Sequence, residues 1–115
     1  MLTFGSGHIF VYSGFVDMRK SINGLSILIQ ISKRDFEDGK VYVFLNKKRD
    51  KIKVLVKENN GFVLVYKRLD AGNFKLSFSS KTEVLLTSQQ LRWLLDGLDY
   101  AKLTPVKSLK IMHHF

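Results

Sequence analysis

VYVFLNKKRDKIKVLVKENNGFVLVYKR, residues 41–68, is the stretch that decides the fold. Val41 to Leu45, Lys51 to Lys57 and Phe62 to Arg68 are each rich in β-branched and aromatic residues and are separated by polar turn formers, so successive strands are expected. Asn60-Gly61 accepts the positive φ angles of a type I′ turn, which places a tight hairpin between the last two. With those residues as the loop, Asn59 faces Phe62, Lys57 faces Leu64, Leu55 faces Tyr66 and Lys53 faces Arg68. Ile52, Val54, Val56, Val63, Val65 and Leu69 share the other face, which is expected to pack on the core.

Upstream, Ile9-Phe10-Val11-Tyr12 is a short β-rich run between Gly5-Ser6-Gly7 and Ser13-Gly14, expected as a first strand. From Asp17 the period changes: Met18, Ile22, Leu25 and Ile29 recur at helical spacing, while Arg19, Asn23, Ser26 and Gln30 fall on another face. Asp17 suits the N-cap of this helix. Gly24 costs about 1 kcal/mol relative to alanine there, so packing must hold the helix. Lys33 to Lys40 is a polar connection. Downstream, Asn73 to Phe78 and Glu83 to Leu86 are candidate short strands with turns at Gly72 and Ser79-Ser80. Thr87-Ser88-Gln89-Gln90 is a capping box, followed by Leu91, Leu94, Leu95 and Leu98 at helical spacing and by Gly97 as a stop. Asp99 to Phe115, with Pro105, has weak periodicity and is expected to wrap the surface or fray.

The chain has 115 residues, 45% of them hydrophobic and 25% charged, with a single proline. That is enough for one hydrophobic core and too little for two ordinary domains. The expectation is a single α+β domain over 1–115: a small, mostly antiparallel sheet against the first helix, with the second helix closing the C-terminal side. No repeat, low-complexity tract or linker interrupts it.

Charge is the unusual quantity. Lys and Arg number 19 against 10 Asp and Glu, for a formal charge of +9 and a pI near 9.9. Such a balance favours an anionic partner, nucleic acid first among them, though membrane surfaces and acidic proteins meet the same condition. The absence of cysteine excludes disulfides, thiolate chemistry and cysteine-containing zinc sites. No signal-peptide pattern opens the chain and no apolar run approaches the roughly 20 residues that span a bilayer, so a cytoplasmic protein without a membrane partner is expected.

The sharpest local feature runs from Asn46 to Lys53, where Lys47, Lys48, Arg49, Lys51 and Lys53 crowd a turn entering a strand. Cations so placed reach successive phosphates, and the hairpin register sets Arg68 beside Lys53 on the same face. The plainer alternative is that Asp50 and Asp70 neutralise part of the cluster and the rest is a solvated edge that discourages aggregation. Arg19 and Lys20 form a second basic pair at the start of the first helix, where backbone amides attract anions. They also have Asp17 and Asp35 as possible ion-pair partners.

Tyr42 and Phe44 share a strand face, as do the stacking aromatics of RNA-binding sheets, but no Lys-Gly-Phe-Gly-Phe-type run accompanies them and a core role is the expectation. Trp93 interrupts the face of Leu91 and Leu94; partial burial against the C-terminal tail is expected, with an exposed anchor as the alternative. His8, His113 and His114 lack zinc spacing, and no phosphate-binding loop, nucleophile elbow or dinucleotide fingerprint is present. Asp17, Asp50, Glu58, Asp70 and Asp99 are scattered, which leaves a two-metal nuclease centre as a remote third possibility. No catalytic residue, metal or cofactor is expected.

Val16-Asp17-Met18-Arg19-Lys20 with Gly24-Leu25, then Val43 to Leu55, Gly61-Phe62, Lys67-Arg68-Leu69, Gly72-Asn73-Phe74 and Leu94-Leu95-Asp96-Gly97-Leu98-Asp99, form an ordered series. In that order and spacing the chain resembles the small TnpB-type transposition accessory proteins of the insertion sequence 66 family, which are unrelated to the RNA-guided nuclease of the same name. The resemblance covers about residues 8–100 and leaves 101–115 as a C-terminal tail. It departs where the family commonly carries a tryptophan after Val54-Leu55 and an aromatic-proline pair after Phe74; Val56-Lys57 and Lys75-Leu76 stand here, and Asn23 replaces a usual acid. The resemblance implies a non-catalytic protein encoded beside a separate, larger transposase, with DNA and that transposase as expected partners. Together with the charge pattern it leads to an expected DNA interface at Lys47, Lys48, Arg49, Lys51, Lys53 and Arg68, with Arg19 and Lys20 nearby. The rival expectation is an adaptor that grips the transposase through an apolar patch near Trp93 or an exposed sheet face, without touching DNA.

Overall fold

The computed structural model describes residues 9–32, 39–76 and 84–99. Within them the chain runs β1 (Ile9–Phe15), α1 (Ile22–Ile31), β2 (Val41–Leu45), β3 (Lys51–Glu58), β4 (Gly61–Arg68), β5 (Val84–Leu86) and α2 (Ser88–Leu95). The strands form one sheet of order β4-β3-β2-β1-β5. β1 and β2 are parallel, with α1 in the crossover that parallel neighbours require. The other neighbouring pairs are antiparallel, so the sheet is mixed but mostly antiparallel, as expected.

Both faces of this sheet are covered, whereas the sequence pattern pointed to one. Alternation sends Val41, Val43 and Leu45 of β2 and Ile52, Val54 and Val56 of β3 to a face shared with Ile9, Val11, Phe74, Leu76, Leu86 and the α2 residues Leu91 and Leu94. Tyr42, Phe44 and Leu55 point the other way and are sealed by Leu25 and Ile29 of α1. All five residues of β2 are buried, which explains why that strand reads as a continuous apolar run. The core role expected for Tyr42 and Phe44 holds: both are fully buried, stacked or tilted against Phe10 and Tyr12 at centroid separations of 6.1 and 5.7 Å.

Local signals explain most boundaries. Thr87 caps α2, its hydroxyl accepting from the Gln90 backbone amide, and Gln90 Oε1 accepts in return from the Thr87 amide, an arrangement worth about 1 kcal/mol. Gly97, at φ 81°, ends the helix, its N–H donating to the Leu94 carbonyl.

The first helix and the hairpin differ from expectation. α1 starts at Ile22 with Ser21 as its N-cap, not at Asp17, because the Asp17 carboxylate already accepts from the amide and guanidinium of Arg19. That turn is closed by Lys20 N–H donating to the Asp17 carbonyl at 3.1 Å, so Arg19 and Lys20 precede the helix. In the hairpin Glu58 pairs with Gly61, making Asn59-Asn60 the loop, and neither they nor Gly61 has a positive φ. The register is displaced by two residues from the expected one: Lys57 faces Phe62, Leu55 faces Leu64, Lys53 faces Tyr66 and Lys51 faces Arg68. A two-residue displacement keeps every side chain on its face. It also sets cations over rings, Lys53 over Tyr66 at 5.2 Å and Lys57 over Phe62 at 5.5 Å, while Arg68 still faces a lysine, now Lys51, which Asp50 partly neutralises at 3.5 Å.

Residues 73–76 join no ladder, although Phe74 and Leu76 are buried; they form a strap against the α2-side core, and the rest of that candidate strand lies outside the described residues. The polar connection at 33–38, His8, His113, His114 and the tail from 100 onward also lie outside them. None of the described helices is long and apolar enough to cross a membrane.

Candidate nucleic-acid interface

The β2–β3 turn is built around one residue, Asn46. Asn46 Oδ1 accepts the Lys51 amide at 3.0 Å, its Nδ2 donates to Asp50 Oδ1 at 2.7 Å, and its carbonyl accepts the Arg49 amide at 3.0 Å. Asparagine suits this work because it offers a donor and acceptors on a short stem. The Asn46 amide, and then the charge of Lys51, hold the Asp50 carboxyl below its ordinary range despite partial desolvation. Arg49 closes the turn at φ 59°, a left-handed conformation that non-glycine residues enter at a cost.

This turn is fastened to the strap and to β4's end. The Phe74 amide donates to the Arg49 carbonyl at 2.6 Å, the Leu69 amide to the Asp50 carbonyl at 2.9 Å, and Arg49 Nη1 to the Leu76 carbonyl at 3.0 Å. Arg49 is therefore committed to the fold. Lys47 and Lys48, at the tip, are exposed and make no hydrogen bond or ion pair among the described residues.

A second segment is brought beside the turn by the end of β1. The β1–β2 register shifts between Val11 and Phe15, where Gly14 takes φ 110°, and Val16 N–H then donates to the Leu45 carbonyl at 2.8 Å. Residues 17–20 are pinned from below by Lys53, which is 8% exposed and donates to the carbonyls of Met18 and Lys20, both at 2.8 Å. Between the two segments lies an open groove of about 660 Å³. Asp17, Met18 and Arg19 line one side, Asn46, Lys47, Lys48 and Lys51 another, together with Phe15, Val16 and Tyr66.

The fold thus gathers Arg19, Lys47, Lys48 and Lys51 around one groove. Lys20 is exposed beside it, and Arg68 is exposed across the ladder from Lys51. Lys53, expected among the open cations, is instead a buried pin, because the 17–20 turn puts the carbonyls of Met18 and Lys20 within its reach. Neutralisation is partial: Asp50 meets Lys51 at 3.5 Å, and Asp17 meets Arg19 at 2.6 Å. No ion pair joins Asp70 to the cluster among the described residues. Nor do three of His, Cys, Asp or Glu come together anywhere in them.

Asp17 is held down to about 2 from 3.8, first by the Arg19 side chain and then by the Arg19 amide. A depressed folded pKa means that this contact supports the turn fully above the ordinary carboxylate range and is lost as pH falls through about 2. A carbon-detected NMR titration is expected to find Asp17 still ionised at pH 3, where a free aspartate is mostly protonated. A midpoint near 4 would mean that the Arg19 contact does not persist in solution.

Tyr66 and Phe15 are groove residues that the sequence pattern did not single out. The signal for Tyr66 was present in its alternation with Leu64 and Arg68 on β4, but only the correct register sets it beside Lys53.

Residues 7–105 match the family described as IS66 Orf2 like protein. The uncharacterized protein y4hO of Sinorhizobium fredii (strain NBRC 101917 / NGR234) is 29% identical over 93 residues, which cover 80% of this chain and 81% of that protein. No solved structure matches the chain.

Proposed function

The chain belongs to the IS66 Orf2-like family, which is linked to IS66 transposition, and from that premise we propose that it is a non-catalytic accessory protein that binds DNA through the basic β2–β3 turn. The observation that carries this reading is the gathering of Arg19, Lys47, Lys48 and Lys51 around one open groove, with Lys47 and Lys48 unpaired among the described residues. Phosphates are the anions that such spaced cations meet in succession. Arg68 and Lys20 extend the positive surface on either side. Contacts of this kind confer affinity that falls steeply with salt and little base discrimination, so preference for element ends would come from DNA shape or from the transposase.

The test is fluorescence anisotropy of a labelled duplex carrying the parent element's terminal repeat, against a scrambled duplex, across a salt series. Lys47→Gln, Lys48→Gln and Lys51→Gln combined should lower the slope of log K against log salt by about 2–3, since each lost phosphate contact removes roughly 0.9. Arg49 is left in place because its removal would disturb the turn itself. Salt-independent binding, or none at low salt, would rule out phosphate contact by the isolated protein.

One observation favours the adaptor alternative. Ile27 and Ile31, one turn apart on α1, are 52% and 70% exposed. They offer an apolar surface besides the region of Trp93, which is partly buried. An apolar transposase interface there would persist in high salt, which separates it from phosphate binding.

A further inference from the structure

Tyr66 stands among the cations of the groove with 51% of its surface exposed, although Phe62 and Leu64, on the same face of β4, pack against the α1-side core. Its ladder partner is Lys53, whose ammonium lies 5.2 Å from the ring centroid and is fixed by the carbonyls of Met18 and Lys20. A strand position with an anchored cation beside it gives the ring little freedom to move. The ring is therefore an ordered aromatic surface, half open to solvent, at the edge of a cationic groove.

Neutralising the phosphates of a duplex needs only the cations. A base inside a duplex is already stacked on both faces and offers an aromatic ring nothing further, whereas an unpaired base presents a π-face of its own. Cations that track a backbone, next to an aromatic platform, form the combination by which single strands are held without sequence preference. A volume near 660 Å³ falls within the roughly 300–1,000 Å³ of sites that enclose small molecules, which is ample for a nucleotide.

Resting on the DNA-binding reading above, we propose that the groove takes an unpaired nucleotide of single-stranded DNA, its base stacked on Tyr66 and its flanking phosphates met by Arg19, Lys47, Lys48 and Lys51. Duplex DNA is then the weaker ligand of this site.

The test compares three labelled probes at one salt concentration: an oligothymidylate strand, an abasic deoxyribose-phosphate strand of equal length, and the thymidylate strand annealed to its complement. Wild-type protein is expected to bind the thymidylate strand about 10-fold more tightly than the abasic strand, from the stacking of one base. Tyr66→Leu should bring the thymidylate strand down to the level of the abasic one, while Tyr66→Phe and Tyr66→Trp keep the preference. Tyr66→Phe retains the ring and its packing, so it guards against a loss caused by unfolding. Equal affinity of wild-type protein for the thymidylate and abasic strands, or preference for the duplex, would overturn stacking and leave the phosphate-contact reading standing. Failure to bind any of the three probes would overturn both.

Discussion

Replacing Lys53 with methionine is expected to lower unfolding stability by about 2–3 kcal/mol, because hydrogen bonds from a charged donor contribute roughly 1.5–3 kcal/mol each and the variant loses two. The bonds in question run from the ammonium to the carbonyls of Met18 and Lys20, at 2.8 Å each. Methionine keeps the length of the stem, so the loss reports the ammonium and not a cavity. Partial rehydration of the freed carbonyls keeps the cost below the sum of two full bonds. Urea unfolding would show the loss as a lower midpoint at unchanged m-value. A change below about 0.5 kcal/mol, the range of an ordinary surface substitution, would mean that Lys53 does not pin the 17–20 turn. DNA binding supplies a second readout: a direct phosphate contact at Lys53 would make the variant's salt slope fall by about 1, whereas a buried pin would not.

Arg49→Ala is expected to cost a similar amount, about 2–3 kcal/mol, for a different reason. The guanidinium donates to the carbonyl of Leu76, a residue only 2% exposed, so truncation leaves a desolvated acceptor without its charged partner. The left-handed backbone at φ 59° stays strained with alanine in place. Arg49→Gly relieves that strain and should therefore be the milder change by about 1 kcal/mol, even though it loses the same hydrogen bond. Thermal or urea unfolding of the two variants side by side decides the matter. If glycine proved no better than alanine, the turn would not be held in the left-handed region. Both substitutions bear on how DNA binding is measured, since a variant combining Lys47, Lys48 and Arg49 would mix lost charge with a loosened turn.

Much of the molecule was legible from local pattern. The β-rich runs at 41–45, 51–57 and 62–68 became β2, β3 and β4 within a residue or so at each end. The capping box at Thr87 and the stop at Gly97 bounded α2 because both act through side chain and backbone within a single turn. The family resemblance was visible as well, since it rests on short motifs in a particular order and spacing along the chain, and the match over residues 7–105 bears it out.

The misreadings have physical sources. Asp17 has the chemistry of an N-cap, but its carboxylate closes an earlier turn with Arg19, and a sequence does not say which amides a cap residue will choose. Asn60-Gly61 signals a two-residue hairpin loop one position late and of a type that needs positive φ, which the Asn59-Asn60 loop does not take; the pairing that won puts Lys53 and Lys57 against Tyr66 and Phe62. Burial of both sheet faces was hidden because β3 carries Lys53 and Lys57 on the face that α1 covers only in part.

By itself the sequence determined that this is one α+β domain, strongly basic, with a cationic turn between two strands and the family to which it belongs. These follow from composition, side-chain period and local motifs, which act over a few residues and survive any arrangement of the chain. Tertiary structure alone decided which cations are open. Lys47, Lys48, Arg49, Lys51 and Lys53 all read as cations of one short basic run, yet Arg49 meets the Leu76 carbonyl and Lys53 meets those of Met18 and Lys20, while the first two remain exposed at the tip. Those carbonyls lie 27, 35 and 33 residues away along the chain, and a charged side chain is committed or free according to what long-range folding places within about 3 Å of it.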